Sequence, residues 1–577
     1  MKIKEPEVNI THDYGAELLR SRGIEDVDLF LNPTINCLQS WKDLDNIYDG
    51  LRLLMNVLKE PDPHIALIVD CDCDGYTSAA IIHNYIQCLR PVKFDWFIHE
   101  EKQHGLADVF DKVVGAGPFN LLIIPDAGSN DYEYIEQFKK YDTPVLILDH
   151  HIVENLDKIS DNCVLINNQS SPKYKNKALS GAGIAWQFCR GLDEFYDVSY
   201  ANNFIDLAAL GVVGDMMSAL EYENQYIWHT GFNNIKNIFF KTLCEKQAFS
   251  MKDNINPTSV AFYIVPLING MVRSGTYKEK CEMFEAFIDG KRLVPSEKRG
   301  AKGTMDMLAN EVVRKCTNAK AHQDKFKKEI AEELDEYIKE HHLLDNKVLF
   351  IRLNDDIKIP STLTGIVAMQ LSTKYARPTL VGKLDENGFI SGSARCPEGT
   401  VLSSLKEFLS DTALFDYTLG HDQAFGFKIT NERLADFIEK SNEELKDANF
   451  DETIFEVSFY RHATDNDIGT IIFDLSRYDF TWGQLNKTPL IGVSNIYCKP
   501  SDFKVMGKNN DTVKITVGNV SFIKFFAKDL IQQINNFGDR QLAVSIVGEP
   551  NLNEWNDNIS PQIFIKDIEI EDFLAAF

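Results

Sequence analysis

Ile65-Ala66-Leu67-Ile68-Val69-Asp70-Cys71-Asp72-Cys73-Asp74-Gly75 is an apolar run closed by three carboxylates on alternate positions and a glycine. Five apolar residues in a row match a strand buried on both faces, and the polar residues that follow mark its carboxyl end. The pattern recurs. Asn120–Ile124 leads to Asp126, and Pro144–Leu148 leads to Asp149-His150-His151. Helical patterns at Thr77–Leu89 and Tyr132–Lys140 alternate with these runs. Such alternation predicts βαβ units and a mostly parallel sheet, with ligands at the carboxyl ends of its strands. A further carboxylate, Asp215, follows the apolar stretch Leu207–Val213. Together these residues make the ligand inventory of a two-metal phosphoesterase.

An isolated Asp after a strand is more often a helix N-cap than a ligand, but clustering shifts the balance. In an extended segment Asp70, Asp72 and Asp74 point to one side, and Gly75 permits a sharp turn into the next helix. Three like charges with no Lys or Arg nearby repel one another, and a divalent cation removes that repulsion. Oxygen ligands with an imidazole suit Mn²⁺ or Mg²⁺ better than Zn²⁺. Two such ions ~3.5–4 Å apart stabilise both the attacking and the leaving oxygen of a phosphodiester, and Asp126 or Asp215 is suited to bridge them.

With 577 residues the chain is too long for one core, and its 44% hydrophobic and 25% charged content is that of a folded protein. A net charge of −26 repels polyanions at long range, so nucleic-acid binding needs a local basic surface. The stretch from Lys291 to Lys328 carries eleven Lys/Arg against four Asp/Glu; it reads either as that surface or as a solvated helix face. No apolar run is long enough to span a membrane, and the first residues lack the apolar core of a signal peptide. A cytoplasmic protein without a membrane partner is expected. The eleven cysteines form no Cys-x-x-Cys pair and read as reduced thiols.

Five segments follow from the pattern along the chain. Residues 1–60 read as an N-terminal helical cap and 61–295 as the catalytic α/β domain. Residues 296–345 hold a long proline-free connecting helix with apolar spacing at Met307, Val312 or Val313, Ile330, Leu334 and Ile338. A second α/β domain occupies 346–445, with strands at Val348–Ile351, Pro378–Val381 and Phe389–Ser391 and a helix over Leu363–Tyr375. From 452 to 577 the chain is dense in β-branched and aromatic residues, as in Thr470–Leu475, Thr512–Val517, Val520–Phe525 and Leu542–Val547. A small barrel of the OB type fits that region, with a sandwich as the alternative.

The ordered set Asp70-x-Asp72-x-Asp74-Gly75, Asp126-Ala127-Gly128, Asp149-His150-His151, Ser180-Gly181-Ala182-Gly183, Gly211-x-x-x-Asp215 and Asn269-x-x-x-Arg273 resembles the DHH phosphoesterase family, and within it the RecJ-like single-strand exonucleases. Ser391-Gly392-Ser393-Ala394-Arg395 and Gly420-His421-x-x-Ala424-x-Gly426-Phe427 resemble its DHH-associated domain. The resemblance implies Asp72, Asp74, Asp126, His150 and Asp215 as metal ligands and Asp70 as a ligand or support. It also implies His151 as a second-layer or phosphate-facing group, with Arg273 and His421 near the scissile group. Ser393 and Arg395 would hold the nucleic-acid phosphate, Arg because its planar fork pairs with phosphate oxygens. The bland alternatives are a turn cap for Asp70, a loop histidine for His421 and a simple turn at Ser391–Ala394.

Three departures stand out. The family's Asn-Arg pair before a Gly-Tyr-Gly element is replaced by Ile98-His99-Glu100-Glu101-Lys102-Gln103-His104-Gly105-Leu106, leaving Lys102 or His104 to meet a terminal phosphate. Val272 and Leu419 stand where glycine is usual. These differences suggest a distant branch, and the Asn, Lys, Ile and Phe content suggests a phage or a low-GC bacterium. The expected function is a Mn²⁺- or Mg²⁺-dependent 5′→3′ exonuclease on single-stranded DNA, in recombination or repair, with a single-strand-binding protein or helicase as candidate partner. The alternatives are a phosphodiesterase for short RNA, nucleotide bisphosphates or cyclic dinucleotides, and a non-catalytic replication scaffold.

Overall fold

The computed structural model describes residues 1–100, 103–353, 357–397, 399–450, 452–555 and 558–573. They form two compact units, one of Ile24–Asp324 with Phe480–Lys487, the other of Met1–Gly23 with Lys325–Asp479 and Thr488–Phe577. Of the residues 1–60 read as one helical cap, 1–23 therefore fold with the C-terminal unit and 24–60 with the other.

In the first unit, β1 (His64–Val69), β2 (Lys93–Ile98), β3 (Leu121–Pro125), β4 (Val145–Asp149) and β5 (Cys163–Asn167) make an all-parallel sheet in the order β2-β1-β3-β4-β5. Both faces are covered. Ile65, Leu67 and Val69 enter one core while Ala66 and Ile68 enter another, which is why the sequence shows an unbroken apolar run. The strand order reverses direction between β1 and β3, so the carboxyl ends of these two strands flank the crevice where open α/β sheets bind ligands. Asp70 and Asp126 follow those two ends.

The segment after β1 differs from the extended geometry expected for it. The helix Cys73–Leu89 starts four residues before Thr77, with Asp72 as its N-cap and Asp74 in its first turn. The three carboxylates thus leave a strand end, a cap and a helical turn instead of one side of a strand.

The helix Leu308–Glu340 supplies Leu308, Ala309, Val312, Val313 and Cys316 to the core of the first unit, and Ile330, Leu334 and Ile338 to the second. Met307, expected on its buried stripe, lies in the short strand Met305–Met307 and is partly exposed. Of the eleven basic residues in 291–328, Arg292, Arg314, Lys315, Lys320 and Lys325 pair with Glu285, Glu311, Glu282, Asp324 and Glu329. Nearly half of the basic run is thereby neutralised within the chain.

Among the described residues the second unit holds two large sheets and a two-stranded one. β6 (Leu349–Leu353), β7 (Thr379–Leu384), β8 (Phe389–Arg395), β9 (Phe415–His421) and β10 (Ala424–Thr430) pair in the order β9-β10-β8-β7-β6, parallel only between β6 and β7. The other large sheet has seven strands between Phe459 and Asp572, mostly antiparallel. Thr470–Leu475, grouped with its strands by composition, is instead part of the helix Ile468–Ser476. Ile468, Ile471, Ile472 and Leu475 are its large buried side chains, a helical spacing that outweighs β propensity. Against that helix, Gly15 N–H donates to Asp474 at 2.9 Å and Tyr14 O–H to Asp467 at 3.1 Å. The strand Lys2–Lys4 pairs in parallel with Ile454–Glu456.

Candidate metal centre

Each carboxylate of the first unit is fixed by a local feature of the chain. Asp72 accepts from Gly75 N–H at 3.0 Å, a helix cap, and Asn269 accepts from Cys73 N–H at 3.2 Å. Asn269 and Arg273 are one turn apart on the helix Val265–Ser274, so the Asn-x-x-x-Arg spacing sets both on the side facing this cap. Burial lowers Arg273 from its ordinary value, and the charge of Asp72 works against that effect, consistent with their proximity.

Asp74 is a carboxylate at the start of another helix. It accepts from Ser180 Oγ at 2.8 Å, Gly181 N–H at 2.6 Å and Ala182 N–H at 3.1 Å, at the N-terminus of the helix Gly181–Tyr196. The Ser-Gly-Ala-Gly motif is the cradle for Asp74. Packing there is close enough to demand glycine: a Cβ on Gly211 would strike Asp74 Oδ1, and one on Gly181 would strike the Asp126 side chain.

Asp126 has φ 64°, a left-handed backbone that non-glycine residues adopt at an energetic cost of ~1–3 kcal/mol and that recurs at functional sites. Its side chain is buried. His150 Nε2 lies 3.2 Å from Asp126 Oδ1 and 3.4 Å from Asp215 Oδ2, and Asp215 ends the helix Ile205–Gly214.

Asp149 offers a donor atom within 4.8 Å of those of Asp126, His150 and His151, and its oxygens also accept several bonds. Its Oδ1 accepts from His150 N–H at 2.7 Å, His151 N–H at 3.2 Å and His151 Nδ1–H at 2.8 Å, and its Oδ2 from Ser129 N–H at 3.1 Å. The first residue of Asp-His-His thus sets the direction of the His151 imidazole and holds the backbone of His150. Burial works against the charges here, yet the bond to Asp149 pushes His151 up to about 9, and His151 and His150 hold Asp149 well below the usual carboxylate range.

Asp70 is also supported. His104 Nδ1 lies 2.6 Å from its Oδ2, Gly105 N–H donates to Oδ1 at 3.3 Å, and the buried His99 Nε2 lies 3.5 Å from Oδ1. Burial opposes its ionisation, but His104 and His99 outweigh burial and hold its carboxyl below the usual range.

Among the described residues the donors collect in overlapping groups, one of Asp126, Asp149, His150 and His151 and others of three. Ligand atoms of Asp70, Asp72 and Asp126 lie within 4.8 Å of one another, as do those of Asp74, His150 and Asp215. Burial, then repulsion from neighbouring carboxylates, raises Asp72, Asp126 and Asp215, the last two well above their ordinary values. Burial pushes His150 down, toward the neutral imidazole that ligates metals. Asp126 Oδ1 and His150 Nε2 are buried without a hydrogen-bond partner. A surplus of negative charge with two unpartnered donor atoms fits divalent cations.

The residues expected at the phosphate lie in the second unit. Ser393 Oγ is 3.0 Å from Thr364 Oγ1, and Arg395 Nη1 donates to Ala394 O at 2.7 Å. Arg395 on β8, Ala424 on β10 and His421 on β9 form one row across three strands, with Ala424 the small residue between. Ser393, Gly426 and the exposed Leu419 form the next row on that face. Lys102 falls outside the described residues. Sequence reasoning passed over His99, the directing role of Asp149 and the cradle at Ser180; all three lay inside quoted motifs, but only tertiary distances reveal their partners.

A parallel α/β sheet with this donor set at its switch point defines a metal-dependent phosphoesterase. The DHH family N-terminal domain matches residues 64–212, and the RecJ OB domain matches residues 475–567. The chain is 33% identical over 565 residues to a Bacillus subtilis protein described as a putative SPbeta prophage-derived single-strand DNA-specific exonuclease, covering 96% of each. The chain belongs to the DHH phosphoesterase family, among its RecJ-like members. The single-stranded-DNA-specific exonuclease RecJ of Bacillus subtilis is 26% identical over 585 residues, which cover 97% of this chain and 68% of that protein. Among solved structures, RecJ from Thermus thermophilus in complex with Mn²⁺ has a TM-score of 0.73 at 17% identity, covering 98% of this chain and 79% of the other. No described helix is long and apolar enough to cross a membrane.

Proposed function

We propose that the protein is a single-stranded-DNA exonuclease that hydrolyses phosphodiester bonds with two divalent cations, Mn²⁺ or Mg²⁺, from the 5′ end, in recombination or repair. The observation that carries this reading is the pair of ligand trios meeting where His150 Nε2 approaches Asp126. Relatives described as single-strand DNA-specific exonucleases, and RecJ structures holding Mn²⁺ or Mg²⁺, support the substrate and the ions.

Asp70, Asp72 and Asp126 would hold one cation and Asp74, His150 and Asp215 the other, with Asp126 as the shared carboxylate. When bound, the ions supply Lewis acidity at the attacking and leaving oxygens. The chain's own groups do the remainder. His151, kept protonated through Nδ1 by Asp149, offers Nε2–H to a phosphate oxygen. Arg273, in the field of Asp72, neutralises the same phosphate. Ser393, Arg395 and His421 line the path of the strand. Lys102 and His104 remain proposals for a terminal phosphate, and His104 also orients Asp70.

The segments 61–295, 346–445 and 452–577 serve as catalytic, strand-binding and OB modules in this reading. The acidic stretch Asp567–Asp572 favours a protein partner, a single-strand-binding protein or helicase, at part of the last one. The test is digestion of single-stranded DNA and RNA labelled at either end, in Mn²⁺ and in Mg²⁺. Early release of the 5′ label from long DNA is expected. Early release of the 3′ label, or cleavage confined to very short RNA, would overturn it.

A further inference from the structure

Ion pairs within the chain absorb only part of the basic run between Lys291 and Lys328, and several of the remaining cations sit on one hairpin of the first unit. Its strands are Leu293–Pro295 and Met305–Met307, and its loop is closed by Ser296 N–H donating to Thr304 O at 2.7 Å and Gly303 N–H to Ser296 O at 2.8 Å. The nearby acids are engaged at the base of the hairpin. Glu297 Oε2 lies 3.1 Å from Lys315 Nζ, and Asp306 Oδ1 accepts from Asn310 Nδ2 at 2.7 Å. Glu311 on the long helix accepts from Ser296 Oγ at 2.5 Å and from Glu297 N–H at 3.0 Å, tying the hairpin down. At the tip, Lys298, Arg299 and Lys302 are exposed, and their side chains make no ion pair or hydrogen bond among the described residues. Val294 packs against the core, so the cross-strand pairs on the opposite face, Leu293 with Met307 and Pro295 with Met305, point to solvent. Leu293 and Met305 are 60% and 59% exposed.

We propose that this hairpin is a separate contact for an unpaired nucleic-acid strand, its cationic tip on the phosphates and its apolar face on the bases. The tip selects a polyanion: three unmatched cations stand together on a chain whose net charge of −26 repels polyanions elsewhere. The face beside it narrows the choice. A contiguous apolar block left in solvent marks an interaction surface, and methionine adapts to partners of varied shape. An unpaired strand offers both complements side by side, phosphates along its backbone and open base faces next to them. A duplex offers the phosphates but keeps its base faces stacked. Anchoring through Glu311 and Glu297 presents the tip without engaging its own charges. The choice of an unpaired strand rests on the substrate proposed above; binding at the hairpin does not rest on hydrolysis.

Binding of the full chain to labelled oligodeoxythymidylate is followed by fluorescence anisotropy in chelator, which suspends hydrolysis, over a series of salt concentrations. In one variant Lys298→Gln, Arg299→Gln and Lys302→Gln are combined; in another, Leu293→Ser and Met305→Ser. All five side chains are exposed, so both variants should melt with the natural chain. The first should bind at least about 10-fold more weakly at low salt, with the slope of log affinity against log salt reduced by ~2, the share of three single-strand phosphate contacts. The second should bind at least about 3-fold more weakly with the slope unchanged, and should match the natural chain on a blunt duplex. Affinity and slope unchanged in the first variant overturn the phosphate contact, and strand affinity unchanged in the second overturns the base contact. Polyglutamate that displaces the strand as well as unlabelled strand does, charge for charge, would make the hairpin a dock for an acidic protein and overturn the nucleic-acid assignment. A chain that binds through the hairpin yet cleaves no DNA in any cation would sink the proposed function and leave this site standing.

Discussion

The carboxylate centre of the first unit and the polar rows on β8, β9 and β10 of the second are built in opposite ways. In the first, Asp70, Asp74, Asp126 and Asp149 are almost fully buried, and three of these four are fixed by bonds from backbone N–H groups, imidazoles or a hydroxyl. In the second, Ser393 and Arg395 are half-buried, and His421 is exposed on a strand end. Groups that hold an ion at bonding distance must be desolvated and preset, at a cost in stability. Groups that track a strand keep their water and act through exchangeable phosphate contacts. Substitutions should therefore be abrupt and cation-linked in the one and graded and salt-linked in the other.

The largest effect is expected from Asp126→Ala. Hydrolysis should fall by more than about 100-fold, beyond the 10–100-fold typical of residues that merely orient a ligand. In a chelator the same variant should melt no lower than the natural chain, because it removes a buried carboxylate that its neighbours repel. Activity above about a tenth of the natural level would erase the contrast between the regions.

Cation and pH dependence come next. Burial and mutual repulsion raise Asp72, Asp126 and Asp215 in the folded state, so their contribution is favourable below the ordinary carboxylate range and is lost as pH rises through the raised values. Asp70 and Asp149 are depressed and work the other way, losing their contribution only in acid. In chelator the melting temperature should decline from mildly acidic to mildly alkaline pH. Mn²⁺ should reverse the decline, worth ~2.7 kcal/mol at one hundred times its Kd. Equal stabilisation by Mn²⁺ across that range would count against carboxylate ligation.

A pair of glycine substitutions sharpens the comparison. Gly211→Ala forces a methyl into Asp74 Oδ1 and Ala182 Cβ and should cost about 1–3 kcal/mol, measurable by denaturant unfolding. Gly426→Ala, whose Cβ would meet only backbone oxygens at 3.7 and 3.8 Å, should change stability by less than ~0.5 kcal/mol. Comparable losses at both would mean that the strand face is as tightly set as the centre.

The smallest effect belongs to Arg395→Ala. Strand binding should weaken, with the slope of log affinity against log salt reduced by ~1. A slope identical to that of the natural chain would remove Arg395 from the strand path.

The strands β1, β3 and β4 were legible because each is buried on both faces, leaving apolar runs that end at ligands, as at Ile65–Val69 and Pro144–Leu148, whereas the largely half-buried β2 gave no such run. Strand-end ligands such as Asp70 and Asp126 were legible for the same reason. Thr470–Leu475 was misread because Thr470, Ile471, Ile472 and Phe473 favour strands in isolation, while burial of Ile468, Ile471, Ile472 and Leu475 imposes a helix. His99 gave no local sign of its approach to Asp70, across 29 positions, since that pairing arises only when β1 and β2 align. Phe480–Lys487 could not be assigned to the first unit from sequence either. Its contacts, such as Ala219 N–H donating to Gln484 O at 2.7 Å, join residues with no shared periodicity. Removing everything from 452 onward would strip those contacts from the unit that carries the centre, so it is not a clean excision of one module.

The parallel ladder between Lys2–Lys4 and Ile454–Glu456 has a temporal consequence. Lys4 and its partner Glu456 are 452 positions apart, and at ~5–20 residues per second a ribosome needs roughly 20–90 s to cover that interval. The segment Ile24–Asp324 emerges entirely within that delay, whereas the strand Lys2–Lys4 has nothing to pair with until the interval is over. The leading stretch of the second unit is thus made early and installed late, and that unit closes around it only after most of the chain has left the exit tunnel.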